Sequence, residues 1–326
     1  MYSPSRVGLN TLADEESRSP WVAFGRMSST IAVLGPGGVG GFVAAALTRA
    51  GEDVVVVARE PTAEALAASG IEVRSVLLGD FTATPGAVAA LREPAAVLIV
   101  ATKATGLREA LTRIQAPPGL VVPLLNGLGH VELLRDRFGP ERVAAGTIRI
   151  ESDRPAPGII VHTSRFLRID LAADDPALHP ALEQLASRLR EAEIPVAIGT
   201  SEAQVLWSKL VRLNALACTT SAIDRPVGFI RSDPEWRPVL VACLEEAAAV
   251  ARAEGAGVAA ADALAELDQA HAELGSSMQR DIAAGREPEL DAIPGAVLRA
   301  AARHGLDCPT IERLVAMIAE RAGLRR

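Results

Sequence analysis

The chain of 326 residues carries only three cysteines, Cys218, Cys243 and Cys308, odd in number and far apart. That excludes a disulfide framework or a cysteine metal cluster and points to a reducing compartment, the cytoplasm. Positive charge is also short: 33 lysines and arginines against 40 acids leave a net charge of -7. A nucleic-acid or anionic-membrane surface needs a clustered positive field, so neither partner is expected, although a small anion needs only a few local cations. No apolar run reaches the roughly 18 residues that span a bilayer. The histidines, His130, His162, His179, His271 and His304, show no metal-ligand spacing, so no metal is expected. None of them is assigned to catalysis. Internal repeats and low-complexity tracts are missing as well.

What is present is the make-up of an ordinary soluble globular protein, with 49% hydrophobic and 22% charged residues, long enough for two domains. Residues 1–28 are polar and irregular and read as an unstructured extension ahead of the fold, with Met27 as a natural start. Residues 29–199 alternate strand-like and helical patterns. The runs IAVL, VVVVA, AVLIVAT, LVVPLL and VAAGTIRI are short, continuous and rich in valine and isoleucine, as in a parallel sheet covered on both faces. APGIIVHTSRFLRIDLA then reads as antiparallel strands extending that sheet. From Ser201 strand signals nearly vanish and helical periodicity dominates, with Gly255, Gly305 and Gly323 as stops. The fold class is therefore α/β: a Rossmann-type doubly wound sheet over 29–199, followed by an all-α domain over 200–326.

The loop Gly35-Pro36-Gly37-Gly38-Val39-Gly40 fits GxGxxG, directly after a strand and at the start of a helix, the context that marks a dinucleotide site. The first glycine allows the tight turn, the second lets a pyrophosphate approach the backbone, and the third lets helix and strand pack closely. About 20 residues on, the second strand ends at the place that meets the adenosine ribose, and Arg59 there favours the 2'-phosphate of NADPH. Glu60, one place later, leaves NADH open, and a merely solvated Arg59 is the alternative.

Together with ATKAT around Lys103, LLNGLG around Asn126, WSKL around Lys209, GSSMQRDIAAGREPELD around Ser277 and Glu289, and GLDCP near the end, the glycine loop makes the chain resemble the ketopantoate reductase family. The resemblance runs from about Thr30 to Arg321. It implies NADPH-dependent reduction of 2-dehydropantoate, a small 2-keto acid, to pantoate in pantothenate biosynthesis, in a cleft between a Rossmann domain and a helical domain. It gives Lys103 and Asn126, at the ends of the fourth and fifth strands, to the nicotinamide side of the cofactor, with Asn126 also near the substrate. Lys209 is implied as the catalytic lysine that hands a proton to the ketone oxygen. Glu289 is implied as a second catalytic residue, holding the substrate hydroxyl and the cofactor side of the cleft, and Ser277 is implied to bind the substrate carboxylate, although Ser277 also reads as a helix cap.

The chain departs from the family pattern in one respect. Asparagines expected four and eight residues after the lysine are Leu213 and Ala217, and a third, three residues before the serine, is Leu274. The nearby Asn214 is turned by about 140° from Lys209 and reaches the substrate only if the helix carries a bulge. A more apolar pocket keeps a different 2-keto acid open as substrate, and a dinucleotide-binding sensor without catalysis is the reading from another class. Long alanine-rich faces in the second half permit a homodimer.

Overall fold

The computed structural model describes residues 29–324, so the extension expected over 1–28 lies outside the described residues. Four-residue strands β1 (Ile31–Leu34) and β2 (Val54–Val57) flank helix α1 (Gly38–Arg49), and Gly51 closes that helix with φ +90°. Helix α2 (Glu60–Ser69) leads to β3 (Ile71–Ser75), β4 (Phe81–Ala83) and β5 (Gly86–Val88). The chain then runs through β6 (Val97–Val100), α3 (Leu107–Leu111), β7 (Leu120–Pro123) and α4 (Gly129–Phe138).

Strands β5-β2-β1-β6-β7 form one wholly parallel sheet. In chain order this is 3-2-1-4-5, so the direction of winding reverses between β1 and β6, and an open sheet of this kind binds ligands beyond the carboxyl ends of its strands at that reversal. The continuous Val/Ile runs are explained by burial on both faces, with all four residues of β1, β6 and β7 buried.

The later strands do not extend this sheet as the sequence suggests. β8 (Ala145–Arg149), read as a parallel strand of the main sheet, pairs antiparallel with β11 (Arg168–Ala172), which pairs with β12 (Val196–Ile198) in a separate three-stranded sheet. A single bridge, Val121 to Val143, links this stretch to β7. β9 (Ser152–Ala156) and β10 (Ile159–His162) join β3 and β4 in a third sheet, ordered β4-β3-β10-β9. That sheet packs on α1 from the side opposite the parallel sheet, and Phe42, Val43, Val73 and Ile160 share one core. Helix α1 is thus enclosed by two sheets, which is why every residue from Gly40 to Leu47 is buried and why its sequence is small and apolar all round.

After α5 (His179–Glu191) and β12 the chain is helical: α6 (Glu202–Ile223), α7 (Val227–Ser232), α8 (Trp236–Ala253), α9 (Ala260–Gln269), α10 (Ser277–Ala283), α11 (Pro294–Arg303) and α12 (Pro309–Arg321). Helix α6 is the axis of this part. Ser201 caps it, its Oγ accepting from the Gln204 N–H, and Asp224 ends it in the left-handed region. Its apolar positions pack on α8 and α12, and Trp207 is nearly fully buried. Its N-terminal half lies against β8, so α6 carries polar side chains to the edge of the strand-rich part. No helix among the described residues is long and apolar enough to cross a membrane.

Candidate active site

A cleft of about 720 Å³ runs from the loop after β1, past the carboxyl ends of β6 and β7, to α6 and α10. One end is made mostly of backbone. Gly35 turns the chain with φ +92°, a conformation that side chains rarely adopt, and Gly37 is the N-cap of α1. A Cβ at Gly40 would sit 2.2 Å from the Gly35 carbonyl oxygen, so that glycine serves helix-to-loop packing. Gly35, Pro36, Gly37, Gly38 and Val39 line the cleft, whereas Gly40 does not. Arg59 and Thr62 line its far end and Glu60 does not.

The surroundings of this loop fit a dinucleotide. A Cβ added at Gly37 would meet nothing within 4 Å, so the space over the helix N-terminus is open to an anion. The Thr102 hydroxyl, at the facing end of β6, is buried and lacks a hydrogen-bond partner.

The other end is made of side chains brought from distant segments. Lys209 on α6 is buried, and its Nζ donates to Asn126 Oδ1 at 2.8 Å. Asn126, in the turn after β7, donates from Nδ2 to Glu289 Oε2 at 3.2 Å. The second oxygen of Glu289 accepts from the Ala104 backbone N–H at 3.2 Å. Lysine, asparagine and glutamate therefore form one connected chain, with the amide holding the charged pair in register. Burial pushes the Lys209 ammonium down to about 8, opposed by the charge of Glu289 and assisted by Arg212 and Arg149.

Lys103 also lines the cleft, but its Nζ donates to Asp281 Oδ2 at 2.7 Å. Asp281 on α10 is almost fully buried and accepts from Arg286 Nε at 2.8 Å as well. The pair ties the loop after β6 to the helical part. His130, in the first turn of α4, is buried, and its pKa is lowered to about 4 by burial and then by the Lys209 charge, against a hydrogen bond with the Asn126 backbone. It does not line the cleft and is neutral at pH 7.

Two expectations need correction. Asn214 does not enter the cleft: α6 is continuously helical with no bulge, and Asn214 is fully buried on the opposite side, with its amide against Cys243 Sγ at 3.4 Å. Ser277 lines the cleft but is not the cap; Ser276 fills that place, its Oγ accepting from the Gln279 N–H at 3.0 Å. Of the positions that depart from the family pattern, Leu213 and Leu274 do line the cleft, joined by Leu216, while Ala217 is buried in the helical core.

Sequence reasoning passed over Asp281, Arg149 and Arg212. Asp281 stands four residues after Ser277 and Arg212 three after Lys209, spacings that put each on the same helical face as a residue already singled out. Arg149 closes β8, and nothing local in the sequence marks it.

Residues 31–174 match the family described as "Ketopantoate reductase PanE/ApbA", and residues 203–322 match "Ketopantoate reductase PanE/ApbA C terminal". A 2-dehydropantoate 2-reductase of Mycobacterium tuberculosis is 32% identical over 308 residues, covering 90% of this chain and 98% of that protein. YkpB of Bacillus subtilis, described as an uncharacterized oxidoreductase, is 30% identical over 87% of this chain and 96% of its own length. Among solved structures, a 2-dehydropantoate 2-reductase from Geobacter metallireducens superposes with a TM-score of 0.82 at 29% identity, covering 89% of this chain and 99% of that one. D-mandelate dehydrogenase, solved with NADH and anilino(oxo)acetate, shares the fold with a TM-score of 0.81 at 18% identity, over 90% of this chain and 98% of that one.

Proposed function

The chain belongs to the ketopantoate reductase family of oxidoreductases, and from that premise we propose that it reduces 2-dehydropantoate to pantoate with NADPH, using Lys209 as proton donor. The observation that carries this reading is the chain Lys209–Asn126–Glu289 at the carboxyl ends of the strands that also present the glycine loop.

The division of labour follows the two parts of the chain. Residues 29–199 supply the seat for the cofactor: the N–H groups around Gly37 and Gly38 take the pyrophosphate, and Arg59 takes the 2'-phosphate. The nicotinamide, when bound, supplies the hydride. Residues 200–326, together with Asn126, supply the groups that act on the substrate. As the ketone becomes an alcohol, negative charge develops on its oxygen; the Lys209 ammonium stabilises that charge and delivers the proton. Asn126 fixes the direction of Nζ and occupies one of its three N–H bonds. Glu289 keeps the ammonium charged where burial alone would favour the neutral amine. Ser277 lies on the substrate side. The reading is tested by following NADPH oxidation with 2-dehydropantoate; no turnover ends it.

A second reading, reduction of another 2-keto acid, is favoured by one observation. Leu213, Leu216 and Leu274 line the cleft where the family pattern has amides at two of the three positions. A hydrocarbon wall leaves a substrate hydroxyl without a partner, which costs more than a misfit methylene. A panel of 2-keto acids with and without the 4-hydroxyl separates the two readings: highest kcat/KM on 2-dehydropantoate excludes the second.

A further inference from the structure

We infer that Arg212, with Arg149 beside it, seats the substrate carboxylate. The inference rests on the reading of the cleft as a 2-keto acid site and names the group that recognises the acid.

Arg212 is on α6, three residues after Lys209, and both line the cleft. Helical side chains three apart stand about 5–6 Å apart at Cβ and share a face. A 2-keto acid presents a ketone oxygen and a carboxylate on adjoining carbons, so a lysine on the first and an arginine on the second match that spacing.

The Arg212 guanidinium is also underused. Among the described residues none of its N–H groups makes a hydrogen bond, and its buried Nε lacks an acceptor in bonding geometry. Its one ion pair is to Glu266 Oε2 at 3.2 Å. Arg149 converges on that same oxygen at 2.9 Å, and its own Nε is likewise buried and unmatched. Glu266 is half exposed, and Glu151, the other acid in the field, faces His271 at 3.5 Å. Two largely buried guanidiniums thus share one carboxylate oxygen, with side-chain exposures of only 15% and 22%. Burial first, and then the charge of Arg149, lowers the Arg212 pKa in spite of both acids, so the pocket disfavours a second cation and favours an incoming anion. Both arginines line the cleft, and a guanidinium fork is the group that binds a carboxylate in bidentate fashion. Ser277 adds a hydroxyl to the same cleft but no charge.

The test compares 2-dehydropantoate with its carboxamide, which keeps the ketone and loses the anion. The expected result is that the wild type prefers the acid by about 100-fold in kcat/KM, and that Arg212→Met removes most of that preference through KM. Arg149→Met moves it the same way by less, and Arg212→Lys restores part of it, since a lysine keeps the charge and loses the fork. Calorimetric titration of pantoate into the NADP+-loaded protein reads the seat without turnover, with affinity about 30-fold weaker in Arg212→Met. An acid preference that survives both methionine variants, or equal pantoate affinity in wild type and Arg212→Met, overturns the inference. A wild type that binds pantoate through Arg212 yet reduces no 2-keto acid keeps the seat and sinks the reductase reading instead.

Discussion

The two ends of the cleft are built by different means. The end around the glycine loop is mostly backbone: a turn, a helix N-terminus and glycines within one continuous stretch. The substrate end is side chains: Lys209, Asn126 and Glu289 come from segments 83 and 163 residues apart and meet only in the folded chain. A backbone site tolerates substitution wherever the new atoms point into open space, and is then damaged only in ligand binding. A side-chain site loses chemistry with each residue while its architecture stands.

The largest effect is expected at Lys209. Lys209→Met removes the proposed proton donor while filling the same volume with an apolar chain, so kcat for reduction falls by about 100- to 10,000-fold while NADPH affinity, measured by fluorescence titration, holds. A variant that keeps wild-type kcat removes Lys209 from its role. The pH profile sharpens the same point. A proton donor must be protonated, and burial brings this ammonium to about 8, so reduction is flat below that pH and declines about tenfold per unit above it. Alcohol oxidation needs the neutral amine and climbs with pH until about 8. A reduction rate that rises through this range contradicts the assignment.

Next in size is Asn126→Ala, which cuts the link between the ammonium and the carboxylate without removing either. Loss of one charge-assisted hydrogen bond in a buried chain is worth about 10- to 100-fold in kcat/KM. The prediction is read against Asn214→Ala. That change leaves KM for the keto acid alone and appears only as lowered Tm, because the Asn214 amide lies against cysteines in the helical core.

At the backbone end the matching pair is Gly37→Ala and Gly38→Ala. A Cβ at Gly37 meets nothing within 4 Å, so the fold holds and KM for NADPH rises about tenfold as the methyl crowds the pyrophosphate seat. At Gly38 the same methyl would lie 2.3 Å from the Ser152 carbonyl oxygen on β9, so this variant loses Tm first. Equal cofactor KM in wild type and Gly37→Ala removes the loop from the binding site.

This contrast also sets what the sequence could tell. The parallel sheet, the glycine turn and the helical second half are local patterns, and a strand buried on both faces or a glycine at a forced turn leaves its mark in neighbouring residues. The three-sheet arrangement did not, because β8 is nearly as buried as the parallel strands and only its partner β11 makes it antiparallel. Gly38 shows the same limit: its neighbours suggest a phosphate, but the atom that forbids a side chain is contributed by β9. The convergence of Lys209 and Glu289 was legible through family resemblance alone. Arg212 lay on a face already singled out, yet no spacing distinguishes a cation that seats a ligand from one that faces water.

The smallest effect is expected at Arg59, the residue proposed to take the 2'-phosphate. Arg59 is exposed at the N-cap of α2, so a bond to the 2'-phosphate is screened by water and salt. An exposed ion pair contributes up to about 1 kcal/mol, equivalent to about fivefold in affinity. Arg59→Gln should therefore lower the NADPH-to-NADH ratio of kcat/KM by about fivefold while kcat with either cofactor is retained, and raising ionic strength should shrink the wild-type preference towards the variant's. A wild type that prefers NADH would instead turn attention to Glu60, the acid one place later, as the residue that meets the ribose.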